Sequence, residues 1–189
     1  MIEVLVTGAS GYLGSYLVKY LKDNQINISG LSRKKKRGLI KVKNYKSLPE
    51  SKYLIYLSEE SNINSFNKLN KKIIKDNQKV LSKLSKKYKN NLIYASSSKV
   101  YSDKINRKLS ENDKIIINSK YEKNKIECEN IVIKNNGVVL RISNIYGIKI
   151  KSDSVLKVIL KQLKNKNEYI KLLNIDDIRD YIFIEDLAE

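Results

Sequence analysis

The chain has 189 residues, 41% of them apolar, enough for one domain with a substantial core. It contains no histidine and a single cysteine, Cys128, which excludes His-dependent triads, zinc sites and disulfide frameworks and leaves proton transfer to Tyr, Lys, Asp or Glu. The formal charge of +18 suits a phosphate-rich partner, but the excess is Lys scattered through every segment. No nucleic-acid-binding module accompanies it, so nucleic acid is not taken as a partner. No stretch approaches the ~18 consecutive apolar residues of a membrane span, and no basic leader with an apolar core precedes the first strand pattern. The expectation is a cytoplasmic protein without a membrane partner.

Ile2-Glu3-Val4-Leu5-Val6 reads as a short apolar strand running into Thr7-Gly8-Ala9-Ser10-Gly11-Tyr12-Leu13-Gly14. Leu13, Leu17, Tyr20 and Leu21 then recur at helical spacing. Strand, glycine turn and helix form the opening of a dinucleotide-binding unit. Gly8 permits the tight turn, Gly11 lets backbone approach a pyrophosphate at the helix N-terminus, and Gly14 lets helix pack on strand. Gly8, Ser10, Gly11, Tyr12, Leu13 and Gly14 are therefore candidate cofactor-binding residues, although the spacing is G-x-x-G-x-x-G rather than the commoner G-x-G-x-x-G.

A second strand, Ile26 to Leu31, ends at Ser32-Arg33-Lys34-Lys35-Lys36-Arg37. An acidic residue there would take the ribose hydroxyls of NAD, whereas Arg accommodates the 2′-phosphate of NADP. Ser32 and Arg33 favour NADP; a solvated basic loop is the plainer alternative. Only about eight residues precede the next candidate strand, Leu39 to Lys43, too few for a helical crossover, so a bare loop is expected. Pro49 marks a turn before the buried-strand pattern Tyr53-Leu54-Ile55-Tyr56-Leu57, whose end places Leu57 at the cofactor.

From Ser65 to Tyr88 the positions Leu69, Ile73, Val80, Leu81 and Leu84 predict one long helix. Asn91 to Ala95 is the next strand, followed by Ser96, Ser97 and Ser98 at its C-terminal end, where open parallel sheets place their ligands. Tyr121 and Lys125 fall four residues apart on one helix face, so the ammonium can sit beside the phenol and favour its ionised form. Taken alone the pair reads as well as two surface residues; the surrounding motifs give it its chemistry. Ile126 and Ile133 are expected among the apolar positions of that helix, and Cys128 as a small packing residue. Gly137 ends it, and Val138 to Ile142 is a further strand leading to Ser143-Asn144-Ile145-Tyr146-Gly147. An amphipathic helix from Ser154 to Asn165, a short strand from Tyr169 to Leu173, Arg179-Asp180-Tyr181-Ile182-Phe183-Ile184 and the first turn of a helix from Glu185 complete the chain.

With these motifs in order, the chain resembles the extended short-chain dehydrogenase/reductase family, in particular its nucleotide-sugar epimerases and dehydratases. The likeness rests on the glycine turn, Ser96 to Tyr101, Tyr121 with Lys125, Leu140 to Gly147, and Arg179 to Ile182. It implies an α/β fold, a Rossmann-like doubly wound parallel sheet flanked by helices, in which residues 1–150 bind NAD(P) and carry the Ser/Tyr/Lys set. Residues 151–189 would then be a partial substrate-binding region, the chain being either a fragment or a form that keeps the cofactor site with a depleted substrate pocket.

The resemblance also implies the roles. Tyr121 is the acid/base at a sugar hydroxyl, Lys125 favours its ionised form and binds the nicotinamide ribose, and Ser97 hydrogen-bonds the reacting oxygen. Asn144 matches a contact near the sugar phosphate, Arg179 one to the nucleotide diphosphate, and Asn77 a supporting Asn on the long helix. The cofactor is NADP or NAD, with NADP favoured, the substrate is a nucleotide sugar, and relatives commonly form a homodimer through helices that include the catalytic one.

Two departures bear on activity. Ser98 and Lys99 stand where the family's dehydratases have an Asp-Glu pair, so elimination of water lacks its agents. Ser58, Glu59 and Glu60 stand where two small alanines are usual, and a carboxylate there repels a pyrophosphate, so Glu59 is expected to point away or its loop to differ. An NAD(P)-dependent oxidoreductase of the epimerase or 4-ketoreductase type is the expected function, and a non-catalytic dinucleotide-binding sensor or partner protein is the alternative.

Overall fold

The computed structural model describes residues 2–101, 107–148, 150, 154–166, 168–172 and 178–189. Strand β1 (Ile2–Val6) pairs in parallel with β2 (Ile28–Ser32) on one side and β4 (Ser51–Tyr56) on the other. β3 (Ile40–Lys41) extends the sheet beyond β2, and β5 (Leu92–Ser97) and β6 (Val138–Ile142) extend it beyond β4. The six strands run in the order β3-β2-β1-β4-β5-β6, all parallel. The chain leaves β1 for one half of the sheet and later returns to its other side. That switch opens a crevice at the strand C-termini, where open α/β sheets bind ligands.

Strand alternation divides the apolar residues between two layers. On β4, Tyr53 and Ile55 pack with Val4 and Val6 beneath α1 (Tyr12–Asp23), which contributes Leu17 and Val18. Leu54 and Tyr56 point to the other face, with Leu5, Leu92 and Tyr94. That face is covered by α3 (Lys71–Tyr88) through Leu81, Leu84 and Tyr88, and by α4 (Lys120–Ile133) through Cys128 and Val132. Leu5, Leu54, Leu81 and Leu92 have no exposed surface; each contributes about 2 kcal/mol by leaving water. Cys128 is the small packing residue expected of it.

The stretch expected as one helix from Ser65 to Tyr88 is two, α2 (Ile63–Asn67) and α3. Asn62 and Asn70 each cap one of them, their side-chain oxygens accepting Ser65 N–H and Ile73 N–H at 2.9 Å. A strong N-cap inside the apolar pattern restarts the helix, and Ile73 in its first turn is 43% exposed instead of buried. Ile133 is likewise 56% exposed at the end of α4, because the buried face of that helix runs through Tyr121, Lys125, Cys128 and Val132.

The link from β2 to β3 is the expected bare loop between parallel neighbours. The segment after β6 forms a strand, β7 (Asn144–Tyr146), paired in parallel with β8 (Tyr181–Phe183), Ile145 opposite Ile182. α5 (Val155–Lys164) forms close to the expected bounds. No strand forms over 168–172; the side chain of Gln162 instead holds both Lys171 N–H and Lys171 C=O at 2.8 Å. Leu173 lies outside the described residues. The last turns, α6 (Ile184–Ala188), pack Ala188 against the α1 layer. Among the described residues no helix is long and apolar enough to cross a membrane.

Candidate active site

The glycine turn is built by close contact. Gly8 has φ +66°, and a Cβ there would lie 2.6 Å from the Leu57 carbonyl oxygen; a Cβ on Gly14 would lie 2.5 Å from the Gly8 carbonyl oxygen. The end of β1 is tied to the end of β4 by Leu57 N–H donating to Thr7 Oγ1 at 3.0 Å. Gly11 precedes α1 without a side-chain cap, so the first N–H groups of the helix are available to an anion.

This turn forms one wall of a cleft of about 1040 Å³ at the strand C-termini. Arg33 to Lys36 border one end of it, and Ser97, Tyr121 and Lys125 the other. Gly8, Ser10, Gly11, Tyr12, Leu13, Gly14 and Leu57 all line it. The cradle that side chains would fill, the open helix N-terminus and the basic end together fit a dinucleotide.

Tyr121 sits in the first turn of α4, whose start is set by a capping box between Ser119 and Glu122. Asn67, at the end of α2, accepts Tyr121 N–H at 3.2 Å, and Phe66 meets the Tyr121 ring edge-on with centroids 5.5 Å apart. Lys125 lies one turn further along, 5% exposed. Its Nζ donates to Glu59 Oε2 at 2.7 Å and to the Ala95 carbonyl at 2.8 Å, and lies 5.7 Å from the Tyr121 ring centre. Burial alone would pull the Lys125 ammonium below its ordinary range, but Glu59 and Tyr121 more than offset it and hold it above. Ser97 Oγ accepts Lys99 N–H at 3.3 Å, closing the short turn after β5.

Glu59 is turned in under Lys125, so the charge expected to trouble a pyrophosphate is balanced by the ammonium. Tyr94 O–H donates to Glu59 Oε2 at 2.7 Å, and the Cys128 thiol to Oε1 at 3.4 Å. Burial, followed by the Glu59 charge, pushes the Tyr94 phenol and the Cys128 thiol up from their ordinary values.

The family model for the NAD dependent epimerase/dehydratase family matches residues 4–189. The chain belongs to this family. No match was found among curated proteins. Among solved structures, the UDP-N-acetylglucosamine 4-epimerase of Bacillus cereus is similar at 21% identity and a TM-score of 0.81, covering 100% of this chain and 69% of that one. The UDP-glucose 4-epimerase of Thermotoga maritima, bound to UDP-glucose, is similar at 19% identity and a TM-score of 0.82, covering 98% and 71%. The UDP-N-acetylglucosamine 4-epimerase of Methanobrevibacter ruminantium M1, in complex with UDP-N-acetylmuramic acid, gives 22% identity and 0.80, covering 98% and 70%.

Not every residue singled out in this epimerase/dehydratase chain reaches the cleft. Ser32 is fully buried, and its Oγ accepts Lys34 N–H at 3.1 Å, so it shapes the basic turn from beneath. Arg33 is exposed above Tyr45, its guanidinium carbon 6.0 Å from the ring centre. Asn144 borders both this cleft and a second one of about 740 Å³ beside β6. Arg179 lines only the second, with Lys99 and Arg141. Asn77 is exposed on α3; the next residue, Gln78, faces α4 instead, donating to Asn124 Oδ1 at 2.9 Å.

Sequence reasoning in this epimerase/dehydratase domain missed Tyr94, Asn67 and Tyr45. Tyr45 is buried in the loop after β3, and its hydroxyl accepts Gly8 N–H at 3.4 Å. The unusual Glu59 was the one available signal that Lys125 would meet a carboxylate. Nothing in the local pattern marks the other three.

Proposed function

We propose that this chain is an NAD(P)-dependent nucleotide-sugar oxidoreductase of the epimerase or 4-ketoreductase type. The reading rests on one cleft shared by the glycine turn, Ser97 and the buried pair Tyr121 and Lys125. A bound nicotinamide would supply the hydride acceptor and donor. Ser97 hydrogen-bonds the reacting sugar oxygen, and the Tyr121 phenol gives or takes its proton. Lys125 holds its ammonium beside the phenol ring and offers its remaining N–H to the cofactor ribose. Asn144 meets the sugar phosphate and Arg179 the nucleotide diphosphate, so the substrate would extend from the first cleft toward the second. Residues 1–150 serve the cofactor and residues 151–189 the substrate. Arg33 and the lysines after it favour the 2′-phosphate of NADP.

A second reading, a dinucleotide-binding sensor or partner without turnover, draws on the engagement of Lys125 by Glu59 and the Ala95 carbonyl. Calorimetric titration with NADPH and NADH, followed by assay with UDP-glucose and UDP-N-acetylglucosamine, separates the two. Binding with turnover that disappears in Tyr121→Phe, cofactor affinity retained, supports the enzyme. Binding without turnover supports the sensor, and failure to bind either dinucleotide removes both.

A further inference from the structure

We propose that Glu59 is a positioning residue for Lys125, anchoring the ammonium beside Tyr121 and supplying the counter-charge that its burial requires. The proposal rests on reading Tyr121 and Lys125 as the acid/base pair, and it adds a third member from a different element. An ammonium taken out of water without a partner gives up its proton or leaves the site. Lys125 is 5% exposed and does neither, because Glu59 meets it at 2.7 Å.

The groups around Lys125 come from every neighbouring element. The loop after β4 brings Glu59, β5 brings Tyr94 and the Ala95 carbonyl, and α4 itself brings Tyr121 and Cys128. Among the described residues only Glu59 is a carboxylate within this group; Glu129, one turn along α4, is committed to Arg141 at 2.7 Å. Glu59 is itself held at both oxygens, by the Tyr94 hydroxyl and the Cys128 thiol. The carboxylate therefore presents a fixed acceptor, and it fixes where the ammonium sits. Glu59 and the Ala95 carbonyl take two of the three Lys125 N–H groups and leave the third for a ligand.

The charge balance has a pH signature. With Glu59 in place, Lys125 contributes stability below its unfolded value that is lost only as pH rises through its raised folded value. With Gln at this position burial wins, and the variant bears the cost of an uncompensated ammonium at neutral pH but little of it once the unfolded chain also loses that proton.

Thermal unfolding of the whole chain between pH 7 and pH 10 tests this, using Glu59→Gln, Lys125→Met and the double variant. Glu59→Gln alone is expected to lower Tm by about 10 °C at pH 7, with the deficit more than halved by about pH 10. In the Lys125→Met background the same substitution is expected to raise Tm, because it then removes a buried carboxylate that has lost its partner. An equal deficit at every pH and in both backgrounds overturns the proposal. If Glu59→Gln does not fold at pH 7, the double variant is expected to fold, and its failure also overturns the proposal. The functional arm is NADPH titration: affinity of Glu59→Gln is expected to fall about tenfold between pH 7 and pH 9.5 while that of the unaltered chain holds. Should the unaltered chain bind neither NADPH nor NADH, the acid/base reading fails, and the unfolding cycle still decides the role of Glu59.

Discussion

Arg141 on β6 lays its guanidinium along Glu129 on α4, with Nη2 2.7 Å and Nε 3.1 Å from Oε2. The same carboxylate accepts the Ser96 hydroxyl from β5, and Arg141 Nη1 donates to Tyr101 O–H at 2.7 Å. Glu129 is 2% exposed. One buried carboxylate thus joins the helix that carries Tyr121 and Lys125 to the two strands beneath it. Glu129→Gln leaves Arg141 short of its counter-charge, and because Arg141 is partly exposed and keeps Tyr101 and the Glu111 carbonyl, the loss is that of a charged hydrogen bond, about 2 kcal/mol. Urea unfolding should show that loss as a lower midpoint with an unchanged slope; a midpoint equal to that of the unaltered chain would contradict it.

Gly14→Ala tests how tightly α1 sits on the turn. The added methyl would lie 2.5 Å from the Gly8 carbonyl oxygen and 2.9 Å from Ala9 Cα, both backbone atoms. The helix must move away, at a cost of about 1–3 kcal/mol. Calorimetry should show weaker dinucleotide binding together with the lower stability, since the same backbone carries both.

Arg33→Ala addresses cofactor choice. Loss of a charge-assisted contact to a 2′-phosphate should weaken NADPH binding by about tenfold or more and leave NADH nearly unchanged. Equal loss for both would remove Arg33 from the selectivity argument.

Asp113 carries a pH dependence of opposite sign to that of Lys125. The Arg107 side chain, 2.5 Å away, and Ser110 N–H hold its carboxyl down at about 2, against an ordinary 3.8. A depressed folded value gives stability that is present above the unfolded value and lost as pH falls through the folded one. The stability difference between the chain and Asp113→Asn should therefore hold at pH 5 and vanish as pH falls toward about 2, read as converging urea midpoints. The pair lies at the surface, so the difference is modest and shrinks with added salt.

Much of the sheet was legible because β1, β4, β5 and β6 each centre on a short apolar run bounded by a turn, whereas β3 is two exposed residues and the outer strand β6 leaves Val138 and Leu140 exposed. The Tyr121 and Lys125 spacing was legible for the same local reason, since four residues along a helix return to one face. The long helix was misjudged where Asn70 offered a cap that outweighed the apolar repeat around it. Ile133 and the stretch after Tyr169 were misjudged because an apolar residue in a pattern says nothing about whether another element lies over it. The second cleft that Arg179 borders was not legible, because it follows from the β7 and β8 pairing.

From the sequence by itself come the glycine turn with its helix, most strands of the parallel sheet, the basic run after β2 and the Tyr–Lys face, because each depends on residues near one another along the chain. The partners of those groups were decided only in three dimensions. Glu59 and Lys125 are 66 residues apart, and they meet because parallel register sets the ends of β4 and β5 side by side while Ser119 and Asn67 hold the start of α4 above them. A carboxylate that would repel a cofactor in an extended chain becomes, in the fold, the counter-charge of the lysine beside it, since burial makes an ion pair at 2.7 Å the favourable state for both charges.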